Sequence, residues 1–507
     1  MKKIISLALL ILFPCALRST IQETLQKLPS IGFNALKNNP YKIAGIACTV
    51  TAGTAWYYLN DYEEQWQWET IDLGNLIFPS DFKWGTATSD LQLAGLQTTN
   101  NQKVQNIWTH YEDTKNVAEA QRMGIACGHW DRYQEDFALA KDFGIQVFRY
   151  SIEWSKIQPS TGDEFDEKAL QHYIDYTWAL IDAGLEPMPT LFHHAWPLWF
   201  DEIGAFEKAE NVEYFVSYAM HIFEAFKEAG LLEHTKLWLT FNEPAGFAAG
   251  AYIDGRYAPC KKFAVTTCGN VLKNMLGAHC ALYKKFKEID KSLQISLAHA
   301  MVPIQPYNPW NPLEQIITRL FNYWVNTATL EYLSSGKFKW LHNFTTTNPE
   351  AKNSLDFVGV NYYSHTLINW FKQKNRPNSI CADLVEGKNG KTLYAEGFYY
   401  AVKDVVHYFP DLPIFITENG FATDNVEHRK LYIDRHLYVM KKLINEGIHI
   451  MGYLWWTFLD CYSWGKGNNS KHGLYHVDFN DENLPRTLKD SSKYLKEIIA
   501  RNKAYYA

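Results

Sequence analysis

Leu237 to Pro244, Leu-Trp-Leu-Thr-Phe-Asn-Glu-Pro, is an apolar run that ends on Asn242 and Glu243 and is stopped by a proline. Alternating apolar and β-forming residues read as a buried strand, and a carboxylate at its end sits where the backbone turns out of the core. Pro413 to Gly420, Pro-Ile-Phe-Ile-Thr-Glu-Asn-Gly, has the same form and ends on Glu418 followed by turn residues. A lone glutamate after a strand is most often a solvated loop residue. Two of them in matched contexts point to paired carboxylates facing one cleft.

Working outward from these runs, short apolar segments alternate with longer helical patterns from Phe78 onward. Candidate strands are Phe82 to Thr88, Gln146 to Ile152, Glu186 to His193, Leu237 to Asn242, Gln294 to Ala298, Asp356 to Tyr363, Pro413 to Glu418 and Ile448 to Trp456. Helical spacing of apolar residues marks Glu167 to Ala183, Val212 to Ala229, Val271 to Ile289, His428 to Glu446 and Asp490 to Arg501. Strands regularly separated by helices predict an α/β fold, a closed (β/α)8 TIM barrel over residues 71–507. Arg149, His193, Asn242, Glu243, Asn361, Tyr363 and Glu418 all fall near the C-terminal ends of candidate strands, the face on which such a barrel carries its active site. Paired carboxylates there suit cleavage of a glycosidic bond, one protonating the leaving oxygen and the other taking the anomeric carbon.

The motifs themselves resemble those of glycoside hydrolase family 1, the retaining β-glucosidases and β-galactosidases. Phe78-Pro79-Ser80-Asp81-Phe82-Lys83-Trp84-Gly85-Thr86-Ala87-Thr88 is similar to the family's opening motif, and Phe148-Arg149-Tyr150-Ser151-Ile152-Glu153-Trp154-Ser155 to its second strand. Thr240-Phe241-Asn242-Glu243-Pro244, Val360-Asn361-Tyr362-Tyr363 and Ile416-Thr417-Glu418-Asn419-Gly420 resemble its acid/base, tyrosine and nucleophile motifs. The resemblance implies a retaining β-glycosidase with Glu243 as general acid/base and Glu418 as nucleophile. Arg149 and Tyr363 would keep Glu418 ionised, less polar surroundings would keep Glu243 protonated, and Asn242 would hold the sugar's 2-hydroxyl. The family's sugar-holding positions fall on Gln92, His193, Asn361, Trp456, Ser463 and Trp464. No metal or cofactor is required.

Three departures bear on the substrate. Gln92-Leu93-Ala94-Gly95 has alanine where many members carry glutamate, and His194 stands where tryptophan is common. In Asp460-Cys461-Tyr462-Ser463-Trp464, Ser463 occupies the place of the glutamate that grips the 4- and 6-hydroxyls. Phospho-β-glycosidases of the family also have serine there, with a lysine and a tyrosine further on; this chain has Ser470 and His472 at those places, with Lys466 and Lys471 nearby. The leading expectation is hydrolysis of β-linked glucosides or galactosides, or of oligosaccharides. A 6-phospho-β-glycosidase is the runner-up. A carbohydrate-binding pseudoenzyme is disfavoured because both glutamates are retained.

The remaining composition excludes other classes. A net charge of −6, with no basic block, argues against a nucleic-acid partner. Met1-Lys2-Lys3 followed by the apolar run Ile4 to Leu17 has the form of a secretory signal. A second apolar run, Ile43 to Leu59, follows Lys37 and Lys42 and ends in aromatic residues, as a short membrane tether would. Residues 1–70 therefore read as a targeting or anchoring leader, and the protein as exported or membrane-anchored. The 8 cysteines have no metal-ligand spacing. Cys260 and Cys268 would either pair in an oxidising compartment or stay as free thiols.

Overall fold

The computed structural model describes residues 66, 68, 71–72, 76–96, 104–114, 117–161, 164–340, 345–369 and 391–506. The expected signal at Ile4 to Leu17 and the expected tether at 43–59 lie outside these. Among the described residues, no helix is long and apolar enough to cross a membrane. Cys260 and Cys268 are free thiols, Cys268 being buried.

Eight parallel strands close into a barrel: β1 (Lys83–Ala87), β2 (Val147–Ser151), β3 (Glu186–Phe192), β4 (Leu237–Asn242), β5 (Gln294–Ala300), β6 (Val358–Asn361), β7 (Ile414–Asn419) and β8 (Ile450–Trp456). Each pairs with its sequence neighbour, and β1 pairs with β8 to complete the ring. Every strand anticipated from the sequence is present, with ends shifted by a few residues. The runs are apolar nearly throughout because both strand faces are covered, by helices outside and by packed side chains inside. Gly85 shows how tight that interior is. A Cβ there would fall 2.3 Å from the Leu454 side chain and 2.4 Å from the Val147 carbonyl oxygen.

The helices that follow the strands are α1 (His129–Phe143), α2 (Glu167–Asp182), α3 (Val212–Glu228), α4 (Val265–Ile289), α5 (Ala328–Ser335), α6 (Ala395–Tyr408), α7 (Val426–Asn445) and α8 (Asp490–Tyr506). Asp166 starts α2 by accepting hydrogen bonds from the Lys168 and Ala169 amides, satisfying donors that have no partner within the helix. On α3, Phe215, Val216, Ala219, Ile222, Phe223 and Phe226 recur at helical spacing and are buried. Phe223 stacks on Phe286 of α4 with centroids 3.9 Å apart. Burying each such ring stabilises the fold by roughly 1.5–3 kcal/mol.

The contacts divide the chain into two units. The barrel unit comprises Asp72–Val302, Trp324–Ser364 and Leu384–Ala507. In the other, the described residues are 66, 68, 71, Pro303–Tyr323 and 365–369; Ile304–Pro306 pairs in parallel with Thr366–Ile368, and Asn311 caps the helix Pro312–Asn322.

Candidate active site

The barrel register brings the expected polar residues to one rim. Ala87 pairs with both Trp456 and Arg149, and Glu418 pairs with Asn361, so β1, β2, β6, β7 and β8 all end at this rim. Glu418, from the end of β7, is buried, with a side chain 4% exposed. Arg149 Nη1 donates to its Oε1 at 2.7 Å, and the Tyr363 hydroxyl donates to its Oε2 at 2.6 Å. Each oxygen of Glu418 thus has its own donor.

Arg149 is itself held on several sides. Its Nε donates to Thr190 Oγ1 at 3.1 Å, Nη1 to the Thr417 carbonyl at 3.1 Å and Nη2 to Asn242 Oδ1 at 2.7 Å. A buried guanidinium with this many acceptors is satisfied and cannot swing. Thr190 and Thr417 were not singled out in the sequence, because a strand threonine carries no signature beyond β propensity.

Glu243 leaves β4 with φ +47°, the left-handed region, and stands immediately before the helix Pro244–Ala249, its side chain making no capping bond to it. For a residue bearing a Cβ this conformation is strained, and such strain gathers at functional positions. Its Oε1 accepts from Asn361 Nδ2 at 2.9 Å, and its Oε2 lies 4.0 Å from His194 Nε2. His194 also has a positive φ, +65°. Asn361 donates as well to Asn242 Oδ1 at 3.0 Å and accepts from the Thr417 hydroxyl at 2.7 Å, joining the Glu243 and Glu418 strands.

Asn242 Oδ1 is taken by Arg149 and Asn361, so its amide nitrogen faces His193 Nε2 at 3.1 Å. That leaves the proton of neutral His193 on Nδ1, which has no acceptor among the described residues. The His193 ring stacks on Trp456 at 5.7 Å. Trp464 stacks on Trp108 at 4.2 Å. Gln92 Nε2 donates to the Tyr462 carbonyl at 2.6 Å, fixing the loop that carries Ser463 and Trp464.

The electrostatics differ from the sequence expectation in one respect. Arg149 and Tyr363 do favour ionised Glu418, yet burial outweighs them and, with Glu243 nearby, raises its carboxyl to about 7. Glu243, expected in the less polar surroundings, is the more accessible of the two, with its side chain 18% exposed. The deep position of Glu418 at the end of a fully buried strand is the cause. Burial also lowers His194 to about 4, so that ring is neutral at neutral pH.

Against this geometry, the match of residues 75–504 to the model of Glycosyl hydrolase family 1 is decisive. The chain belongs to glycosyl hydrolase family 1. It is similar to beta-glucosidase A of Thermotoga maritima, 26% identical over 84% of this chain and 98% of that one. A 6-phospho-beta-galactosidase of Staphylococcus haemolyticus is 28% identical over 83% and 98%. Among solved structures, the family 1 β-glucosidase of Exiguobacterium antarcticum B7 matches with a TM-score of 0.76 at 26% identity, covering 84% of this chain and 99% of that one. The protein is therefore a family 1 glycoside hydrolase of the β-glucosidase kind, a retaining β-glycosidase. Family membership at this distance fixes the reaction and not the sugar.

Proposed function

We propose that this family 1 enzyme hydrolyses β-glucosides or β-galactosides, with Glu418 as nucleophile and Glu243 as general acid and then base. In the first step the Glu418 carboxylate bonds to the anomeric carbon as the bond to the leaving oxygen breaks, and Glu243 gives its proton to that oxygen. In the second, a water attacks the same carbon, its proton passes to Glu243, and Glu418 is released. The nearby Glu243 adds to the rise of the Glu418 carboxyl. Once Glu418 is esterified its charge is gone, and Glu243 is free to act as a base.

The observation that carries the reading is the separate tethering of the two carboxylates. Glu418 is locked at both oxygens, while among the described residues Glu243 accepts a hydrogen bond at Oε1 alone. A nucleophile needs a fixed line of attack, and an acid/base needs one oxygen open to the leaving group. His193 Nδ1 and Trp456 offer a donor and an aromatic surface to the sugar, and Asn242 stands between the two glutamates.

A 6-phosphorylated sugar is the second reading, favoured by Ser463 in place of a carboxylate that would repel phosphate. Against it, Lys471 is engaged elsewhere: its Nζ lies over the Phe479 ring at 5.3 Å. The test is Glu418→Gly. Hydrolysis of nitrophenyl β-glucoside should fall to background, and added azide should restore turnover with an inverted glycosyl azide as product. Substantial activity without azide would refute the assignment.

A further inference from the structure

One buried polar ring at the rim has no part in the two steps that Glu418 and Glu243 perform. His194 lies two residues past the end of β3, with its side chain 4% exposed and its backbone in the left-handed region at φ +65°. Trp108 Nε1 donates to its carbonyl at 2.7 Å, which fixes that backbone. Other rings hold the imidazole: Phe247 lies 5.4 Å away at an interplanar angle of 29°, and Tyr257 5.6 Å away. Phe247 belongs to the helix Pro244–Ala249 that Glu243 precedes, so one short segment sets both the ring and the carboxylate.

Neither ring nitrogen of His194 has a hydrogen-bond partner among the described residues. The Asn242 carbonyl favours a proton on the ring without completing such a bond, and burial keeps the ring neutral at neutral pH by lowering it to about 4. A buried polar group without a partner carries a desolvation cost that a ligand recovers. His194 Nε2 lies 4.0 Å from Glu243 Oε2, the oxygen that Asn361 leaves open. That gap is too wide for a hydrogen bond, yet a single oxygen about 2.8 Å from each atom would bridge it.

Two oxygens of the reaction come to Glu243 in turn. The leaving oxygen takes its proton, and the water then gives one back. The leaving oxygen arrives already bonded to carbon on both sides, whereas the water arrives with two hydrogens and gains most from a second partner. We infer that His194 is a catalytic residue of the hydrolytic step, its Nε2 holding the attacking water together with Glu243 Oε2. The inference rests on the glycosidase reading above and adds a group to it. In that step the water oxygen bonds to the anomeric carbon as the bond from that carbon to Glu418 breaks, its electron pair returning to the carboxylate. One water proton passes to Glu243 Oε2. His194 stays neutral, accepting the water's other hydrogen or donating to its oxygen according to the tautomer. Two directed contacts then fix the line along which the water approaches.

The test separates the two steps by trapping the sugar on the enzyme. Wild type, His194→Phe and His194→Asn are each loaded with 2-deoxy-2-fluoro-β-glucosyl fluoride or its galactosyl analogue, freed of excess reagent, and followed as activity returns in buffer. Phenylalanine keeps the ring stacking and loses the nitrogens. Asparagine suits the left-handed backbone but is shorter by one ring bond, so its amide stops short of the water. Return of activity should be about three- to tenfold slower in both variants, the size of one hydrogen bond, while the rate of loading changes less. On 2,4-dinitrophenyl β-glucoside, kcat should accordingly fall more than kcat/KM, which reports the first step alone. Return of activity at the wild-type rate in either variant overturns the proposal. So does a loss shared equally between loading and return, which marks a packing role. In both cases the glycosidase reading stands, whereas failure of the wild type to load with either reagent overturns the Glu418 assignment and this inference with it.

Discussion

The Tyr363 hydroxyl is one of two side-chain donors that hold Glu418 toward its charged form, while burial drives the carboxyl to about 7. Attack requires the ionised carboxylate, so the acidic limb of kcat/KM for an activated nitrophenyl glycoside should rise with pH through neutrality. Tyr363→Phe removes a donor that favours the charged form, so the ionisation moves up and the limb moves to higher pH. One charge-assisted hydrogen bond corresponds to a shift of about one pH unit or more. The variant should accordingly lose more activity at pH 6 than at pH 8. A limb that stays in place, or moves to lower pH, would show that the hydroxyl does not stabilise the carboxylate. The ring remains in this variant, so the contact of the Lys391 ammonium with its face, 3.9 Å from the centroid, is kept.

At the scale of elements, the site depends on strands that meet in register. Gly85 pairs with Val147 two positions before Ala87 pairs with Arg149. In Gly85→Ala the new methyl meets a side chain, which can move, and the Val147 carbonyl, which cannot without displacing β2. Overpacking of this kind costs about 1–3 kcal/mol, so the melting temperature should fall and the surviving folded enzyme should lose kcat/KM as Arg149 shifts. An unchanged melting temperature would mean that the closure between β1 and β2 has slack. The strands were legible in the sequence because the barrel buries both their faces, leaving long apolar runs broken by turns. The helix α1 was not, since its buried positions (His129, Trp130, Asp136 and Phe137 among them) mix polar and apolar types. Strand-end residues such as Arg149, Asn242 and Glu418 were legible for a related reason: a polar group ending an apolar run has few structural uses. Thr190 and Thr417 had no such signal: each is a strand threonine that only the fold shows to accept a hydrogen bond from Arg149.

Taken as a whole molecule, the chain carries its candidate chemistry between Gln92 and Trp464, inside the span that matches the family. A chain beginning at Trp68 should therefore hydrolyse nitrophenyl β-glucoside with a kcat/KM close to that of the full chain. Fractionation of cells expressing both forms would show whether residues 1–70 direct the protein to a membrane or out of the cell, as their sequence suggests. Loss of folding in the shorter chain would instead give the leader a structural part. The central claim is that the barrel brings two distant strand ends together so that Glu418 bonds covalently to the sugar. The most direct measurement is to incubate the enzyme with 2-deoxy-2-fluoro-β-glucosyl fluoride, digest it, and locate the glycosylated peptide by mass spectrometry. The fluorine slows both steps, and the good leaving group lets the intermediate accumulate. One sugar on the peptide containing Glu418, with matching loss of activity, is the predicted result; inactivation with the label on another residue would contradict it.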